Sequence, residues 1–201
     1  MVGYAAAMST APTKLPFTGD PEADELIARD PMALLIGFCL DQQVSVQKAF
    51  VGPLELRRRI GSLDPATIAA MDPAGLDEAF TSRPALHRFP GAMAHRVQEL
   101  CTVIVERYGG DASSIWRDAV DGPDLKARLL ALPGIGEMKA RSLIAVLGKR
   151  LGVALPRLDE VMPRHPTLGD VDSAEALADY QAQKRAYKQR LKAEAATDPG
   201  A

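Results

Sequence analysis

The sequence predicts an all-α protein, and three observations support this prediction. Asp-Pro pairs recur before short segments of helix-forming residues, at Asp20–Pro21, Asp30–Pro31, Asp64–Pro65 and Asp72–Pro73. An aspartate side chain caps the free amides of a first helical turn, and a proline at the first helical position loses no hydrogen bond. Apolar residues follow each pair with helical spacing, and no segment alternates as a strand would.

The individual helices follow from these signals in chain order. We expect them over residues 23–28, 32–40, 66–71, 74–80, 92–108, 124–131 and 137–147, with a last helix from a cap at Asp172 or Ser173 to about 195. Residues 32–40 read MALLIGFCL and are apolar on every side, which predicts a central buried helix. Ser45 caps a further helix, which Gly52–Pro53 should kink or split.

Composition limits the classes of function. The chain has 201 residues, of which 47% are hydrophobic and 25% charged, as in a folded protein. With 24 basic and 26 acidic residues the net charge is −2, so binding of nucleic acid would need a local basic patch. Two cysteines, Cys39 and Cys101, are too few for an iron–sulfur cluster held by four thiolates, and we expect buried free thiols. No apolar run reaches the ~20 residues that span a bilayer, and we expect a cytoplasmic protein.

A glycine-containing turn offers the strongest binding signal. Residues 132–136, LPGIG, join two predicted helices, and Gly134 and Gly136 let the backbone turn sharply and approach another molecule. The amides of Gly136, Glu137 and Met138 then begin a helix, where free donors and the positive end of the helix dipole favour a phosphate. Lys139, Arg141, Lys149 and Arg150 follow with no acid between them. The alternative is that the turn merely connects two helices.

Three segments together resemble one family. LPGIGEMKARSLIAVLG resembles the helix-hairpin-helix of the HhH-GPD superfamily of base-excision DNA glycosylases, which includes endonuclease III and the 3-methyladenine glycosylases. Residues 40–45, LDQQVS, resemble the Gln-Gln-Val-Ser segment of that family, and residues 89–97, FPGAMAHRV, stand where the family has a glycine before a helix with a basic residue. The three segments stand in the family's order, and the resemblance covers about residues 20–155.

The resemblance implies a fold with two helical lobes and a cleft between them. The barrel lobe would span about residues 31–131, the hairpin 132–136, and the second lobe about 19–30 plus 137–195. We expect residues 1–18 to form a disordered leader and residues 196–201 a loose tail.

The resemblance also implies functional residues. The hairpin would hold a DNA phosphate through the amides of Gly134, Gly136 and their neighbours, and Gln43 would fill the gap left by an extruded base. The full set of expected DNA-binding residues is Gln42, Gln43, Gly134, Ile135, Gly136, Met138, Lys139 and Arg141. A monovalent cation, potassium or sodium, could lie on the carbonyls of Leu130, Leu132 and Ile135, and no cofactor would be required. The alternative for Gln42 and Gln43 is a pair of buried amides that cap adjacent helices.

The chain departs from the family pattern at two positions. Bifunctional relatives have a nucleophilic lysine where this chain has Met138, and a thioether forms no Schiff base. Lys139 is rotated by about 100° on the helix and is expected to face the DNA backbone. The family places its catalytic aspartate in a Val-Asp motif after the hairpin. The candidate here is Asp159, 23 residues after Gly136, although Asp159 and Glu160 could equally be exposed surface acids.

These inferences predict a monomeric, monofunctional DNA repair glycosylase. It would hydrolyse the N-glycosidic bond of a damaged or mismatched base flipped out of double-stranded DNA, with Asp159 assisting. One alternative is a non-catalytic DNA-binding protein that has lost the carboxylate. The other is a helical module for protein interactions, in which the hairpin is incidental.

Overall fold

The computed structural model describes the backbone of residues 12–197 and the side chains of residues 12–186, 189 and 190. This part of the chain is helical and contains no strand, as the sequence predicts. The α-helices are α1 Pro21–Arg29, α2 Pro31–Leu40, α3 Val46–Ile60, α4 Pro65–Ala69, α5 Pro73–Thr81, α6 Pro90–Tyr108, α7 Ser114–Arg117, α8 Gly122–Leu130, α9 Glu137–Lys149, α10 Leu158–Val161 and α11 Ala174–Thr197. A 3₁₀ helix, Leu168–Asp170, precedes α11. None of the described helices is long and apolar enough to cross a membrane.

The predicted Asp-Pro helix starts are confirmed. In α1, the carboxylate of Asp20 accepts hydrogen bonds from the amides of Glu22 (2.9 Å) and Ala23 (3.2 Å). Aspartate side chains also cap α2, α4, α5 and α8, and in each case proline is among the first helical residues. The prediction for 32–40 is confirmed as well, because every one of these residues in α2 is buried.

The sequence predicts that Gly52–Pro53 kinks or splits this helix. The split is wrong, since α3 continues as a single helix through Pro53. Proline there removes one hydrogen bond to the preceding turn. Gly52 packs directly against α2, and a Cβ at Gly52 would lie 2.5 Å from Cδ1 of Leu40. Buried residues precede the proline, at Ala49 and Phe50, and follow it, at Leu54 and Leu56, so packing in the core stabilises the helix on both sides of Pro53.

The expected leader is wrong for residues 12–18. Leu15 and Phe17 are fully buried, and the ring of Phe17 meets that of Phe50 edge-on at 5.2 Å. The buried carboxylate of Asp24 accepts hydrogen bonds from the amides of Phe17 (3.1 Å) and Thr18 (2.9 Å), which fixes this segment to α1. Residues 1–11 lie outside the described part of the chain. The last helix continues past 195 to Thr197, and the remainder of the expected tail, 198–201, also lies outside it.

The packing of α1 differs from the expectation that it joins the helices after residue 137. Helix α1 packs against α2 and α3 rather than against the helices after residue 137. Helices α8 and α9 form an antiparallel pair, because Leu158 of α10 contacts both Gly122 at the start of α8 and Gly148 near the end of α9. The 3₁₀ helix packs on α9, with Gly169 against Ala145. Cys39 and Cys101 are buried and free, as predicted.

Candidate nucleic-acid interface

The LPGIG turn is a tight connection that is fixed to the core. Helix α8 ends at Leu130 and α9 begins at Glu137, and the amide of Ile135 donates to the carbonyl of Leu132 at 3.2 Å. Leu132 and Ile135 are buried. Gly134 has φ +79°, and a Cβ there would lie 2.8 Å from Cδ of Arg96 and 3.0 Å from Sγ of Cys39. Glycine is therefore needed at 134 both for the backbone angle and for the close packing.

The first turn of α9 lacks the cap that other helices have. Gly136 occupies the N-cap position with φ −91° and ψ 178°, and no described side chain caps this helix. Gly136 is exposed, and a Cβ there would meet nothing within 4 Å, so the turn itself is open at this residue. Unsatisfied amides at a helix N-terminus attract anions. At the start of α9, uncapped amides and an exposed glycine turn occur together.

Charged groups beside this helix start are paired. The carboxylate of Glu137 contacts Lys126 at 2.7 Å and Arg141 at 2.8 Å, and these two cations lower the pKa of Glu137. Arg141 therefore forms an ion pair with the acid at the start of α9. Met138 is the next residue, and it is 71% exposed.

Lys139 does not face outward as expected. Its Nζ donates hydrogen bonds to the carbonyl oxygens of Gly134 (3.0 Å) and Cys39 (3.1 Å), so the side chain lies across the hairpin. Cys39 belongs to the last turn of α2, where carbonyls have no partner within the helix. These free acceptors explain why the amine turns inward. Burial lowers the pKa of Lys139.

The ammonium of Lys139 lies next to the expected cation site. Of the three carbonyls expected to bind potassium or sodium, that of Leu132 already accepts the amide of Ile135. The carbonyl of Gly134, adjacent to that of Ile135, accepts the Lys139 ammonium. A second monovalent cation at Ile135 would be repelled by this positive charge. The site expected on the carbonyls of Leu130, Leu132 and Ile135 therefore has a positive charge beside it, and it stays a prediction.

The Gln42–Gln43 segment follows α2 directly, and its two glutamines differ. Gln42 is half-buried, and its Oε1 accepts a hydrogen bond from Arg96 at 3.1 Å. Its main-chain carbonyl accepts a second bond, from Nε2 of His87 at 2.8 Å. Gln43 is exposed and has φ 55°, a left-handed conformation that is uncommon for a residue other than glycine. Gln42 thus fixes the turn, and Gln43 is presented to solvent.

His87 is a residue that sequence reasoning missed. It is 2% exposed, and its Nδ1 accepts the amide of Phe89 at 3.0 Å. Because Nδ1 accepts, Nε2 carries the proton and donates to Gln42. Phe89 itself is 44% exposed, with the guanidinium of Arg88 5.4 Å from its ring centre. The available signal was the position of His87, two residues before the Phe89-Pro90-Gly91 segment.

Three segments that are distant in the sequence therefore meet at one place. Lys139 binds the carbonyl of Cys39, next to the Gln42–Gln43 turn. Arg96 of α6 binds Gln42 and also packs on Gly134. The hairpin, the glutamine turn and the start of α6 form a continuous surface that exposes Gln43, Phe89, Gly136 and Met138.

Asp159 does not belong to this surface. It is exposed in α10, which packs against the far ends of α8 and α9, at Gly122 and Gly148. At 1.5 Å per residue, Gly148 lies about 16 Å along α9 from Glu137. The family-based expectation of a carboxylate beside the hairpin is therefore not met by Asp159.

Two other carboxylates are candidates for that role. Asp41 is half-buried beside the glutamine turn, and its charge interacts with Lys139 and Tyr180, although burial is the larger influence on the pKa of each. Asp172 is exposed and follows Val171, two residues before α11 begins at Ala174. The Val171–Asp172 pair was the signal that sequence reasoning passed over, because it lies 36 residues after Gly136 rather than near 159.

The described residues contain no metal centre. No group of three or more His, Cys, Asp or Glu residues there is arranged to hold a metal ion. Comparisons with protein families, with curated proteins and with solved structures find no match for this chain.

Proposed function

We propose that this chain is a monofunctional DNA repair glycosylase with a helix-hairpin-helix fold of two lobes. It would hydrolyse the N-glycosidic bond of a damaged or mismatched base in duplex DNA. The observation that carries the proposal is the meeting of the hairpin with the Gln42–Gln43 turn through Lys139 and Arg96. An enzyme that extrudes a base needs both a grip on the strand and a group that fills the vacated stack.

Each part of this surface has a task in the proposal. The uncapped first turn of α9, starting at Gly136, binds one phosphate through main-chain amides. Gln43, presented by its left-handed backbone, enters the duplex in place of the extruded base. Phe89 is exposed beside it and stacks on a neighbouring base, since aromatic rings stack on any base.

The chemistry proposed is hydrolysis without strand cleavage. Water adds to the sugar carbon as the bond to the base breaks, and a carboxylate stabilises the cationic transition state. Met138 is no nucleophile, and the amine of Lys139 is occupied by two carbonyls. Asp41 and Asp172 replace Asp159 as the candidates for the carboxylate.

The experiment is base release from duplex oligonucleotides that carry an alkylated purine, uracil or an oxidised base. We expect an abasic product from at least one of them, and no protein–DNA adduct on addition of borohydride. Asp41→Asn and Asp172→Asn are compared, and the one that supplies the carboxylate should lose base release while it keeps duplex affinity. Asp159→Asn is the matched control and should act as the unmodified chain. An adduct that disappears in Lys139→Met would contradict the monofunctional mechanism.

A second candidate is a DNA-binding protein without catalysis. The observation that favours it is the position of Asp159, on a helix packed at the opposite end of the α8–α9 pair. Salt-dependent binding to plain and abasic duplexes, with no product from any substrate, would establish this alternative. Absence of both binding and product would exclude both candidates and leave a helical interaction module.

A further inference from the structure

The last helix leaves the body of the protein beside the Gln42–Gln43 turn. Gln181 of α11 exchanges two hydrogen bonds with Gln47, of 2.8 and 3.4 Å. Tyr180 is half-buried, and burial together with the charge of Asp41 raises its pKa to about 12. From Ala182 to Ala186 the residues are exposed, so contact with the body ends after Gln181.

The face that anchors α11 continues as a basic face. With 100° per residue, Leu177 and Gln181 lie within a narrow arc of the helix. Leu177 is buried and Gln181 is bonded to the body, which identifies this arc as the anchoring face. By register, the same arc then contains Lys184 and Arg185, and the sequence places further lysines at 188 and 192, each four residues after the preceding lysine. No acidic residue occurs between positions 180 and 193.

The positive charge of this face favours a partner with regularly spaced negative charges. Residues 184–192 extend about 12 Å along the helix axis. One strand of DNA carries a phosphate about every 3.4 Å, so the face could follow two or three phosphates. The chain has a net charge of −2, which makes four cations at helical spacing within nine residues a local exception in the sequence.

We infer that this basic face of α11 binds the sugar–phosphate backbone of the same duplex that the hairpin grips. The inference rests on the proposed function, because it takes duplex DNA as the ligand. Helix α11 would act as a second, sequence-independent contact that lies beside the lesion and extends the footprint of the protein. Its contribution is electrostatic, and it therefore depends on the salt concentration.

The test compares duplex affinity against salt concentration for the full chain and three variants. Lys184, Arg185, Lys188 and Lys192 are all changed to Gln in the first variant. Arg185→Gln and Arg190→Gln form a matched pair, because they remove one arginine each from positions about 140° apart on the same helix. The ligand is a labelled duplex with one abasic site. Circular dichroism confirms that each variant keeps its helix content.

We expect the fourfold variant to lose about 10- to 100-fold in affinity and to show a salt slope shallower by about 2 to 3. Arg185→Gln should weaken binding, whereas Arg190→Gln should not. An unchanged slope and affinity in the fourfold variant would overturn the inference. If the unmodified chain binds no duplex, the proposed function fails and the inference fails with it. A change in molecular mass without a change in affinity would instead indicate contact between copies of the chain, and would also overturn it.

Discussion

The Nε2 atom of His87 lies 2.8 Å from the main-chain oxygen of Gln42, across 45 residues of sequence. Because Nδ1 of the same ring accepts the amide of Phe89, the histidine joins two loops in one fixed geometry. Gln43, which follows Gln42, and Phe89, whose amide binds the ring, are both exposed. The buried imidazole therefore sets the relative position of two side chains that we assign to the duplex.

His87→Phe should lower the free energy of unfolding by about 2 to 4 kcal/mol. The substitution keeps an aromatic ring of similar size but leaves a carbonyl and an amide without partners. His95→Phe is the control, since His95 is exposed and pairs only with Glu99 at 3.5 Å. The control should change stability by less than about 0.5 kcal/mol. Urea unfolding measures both, and equal stabilities of the two variants would show that the buried bonds contribute nothing.

Lys139→Met should cost about 1 to 2 kcal/mol at pH 7, because the carbonyl of Gly134 loses its donor and that of Cys39 keeps only the longer bond from Nε2 of Gln42, at 3.4 Å. The pH dependence has a defined sign. Burial lowers the folded-state pKa of Lys139 below its ordinary value of 10.5. At pH values between the lowered folded-state pKa and 10.5, the unfolded chain binds more protons at this side chain than the folded chain does. The contribution of Lys139 to stability therefore rises with pH in this range. Denaturant unfolding of both proteins at a series of alkaline pH values tests this. A contribution that falls as pH rises towards 10.5 would contradict the burial of the charged amine.

Gly169→Ala should destabilise the chain by about 2 to 3 kcal/mol. The new Cβ would lie 2.5 Å from the carbonyl carbon of Ala145, and a backbone atom of α9 cannot move aside as a side chain can. Gly75→Ala is the matched control in α5, where a Cβ meets nothing within 4 Å. There the same substitution should stabilise by up to about 1 kcal/mol, because alanine favours a helix over glycine. Thermal unfolding of the two variants should therefore shift in opposite directions, and shifts of the same sign would contradict the packing of the 3₁₀ helix on α9.

The helices were predictable because their signals are local. An Asp-Pro pair specifies a cap and a first residue within two positions, and the structure has a capped helix at each of the four pairs. Burial of Leu15 and Phe17 could not be read in the same way. The ring of Phe17 meets that of Phe50, more than 30 positions away, and only the folded chain brings the two rings together.

The candidate site was predictable in its segments but not in its side-chain directions. Gly134 and Gly136 look equivalent in the sequence, yet one is packed against Cys39 and the other faces open space. Lys139 turns inward because the carbonyl of Cys39, in the last turn of α2, accepts its ammonium. Cys39 is 100 residues away, so no local sequence pattern predicts this contact. Asp159 was placed by counting residues from the hairpin, and the chain instead carries it to the far end of α9.

Gly136→Asp, tested for affinity to an abasic duplex, is the most direct measurement of the central claim that the hairpin binds phosphate. Backbone angles at Gly136 are those of an N-cap, so an aspartate there can cap α9 as Asp20 caps α1. Stability should stay the same or rise by up to about 1 kcal/mol. The new carboxylate would occupy the amides meant for the phosphate and repel it, so affinity should fall at least about tenfold, and less in the uncharged Gly136→Asn. Gly136→Asp with unchanged affinity and a stable fold would contradict the claim.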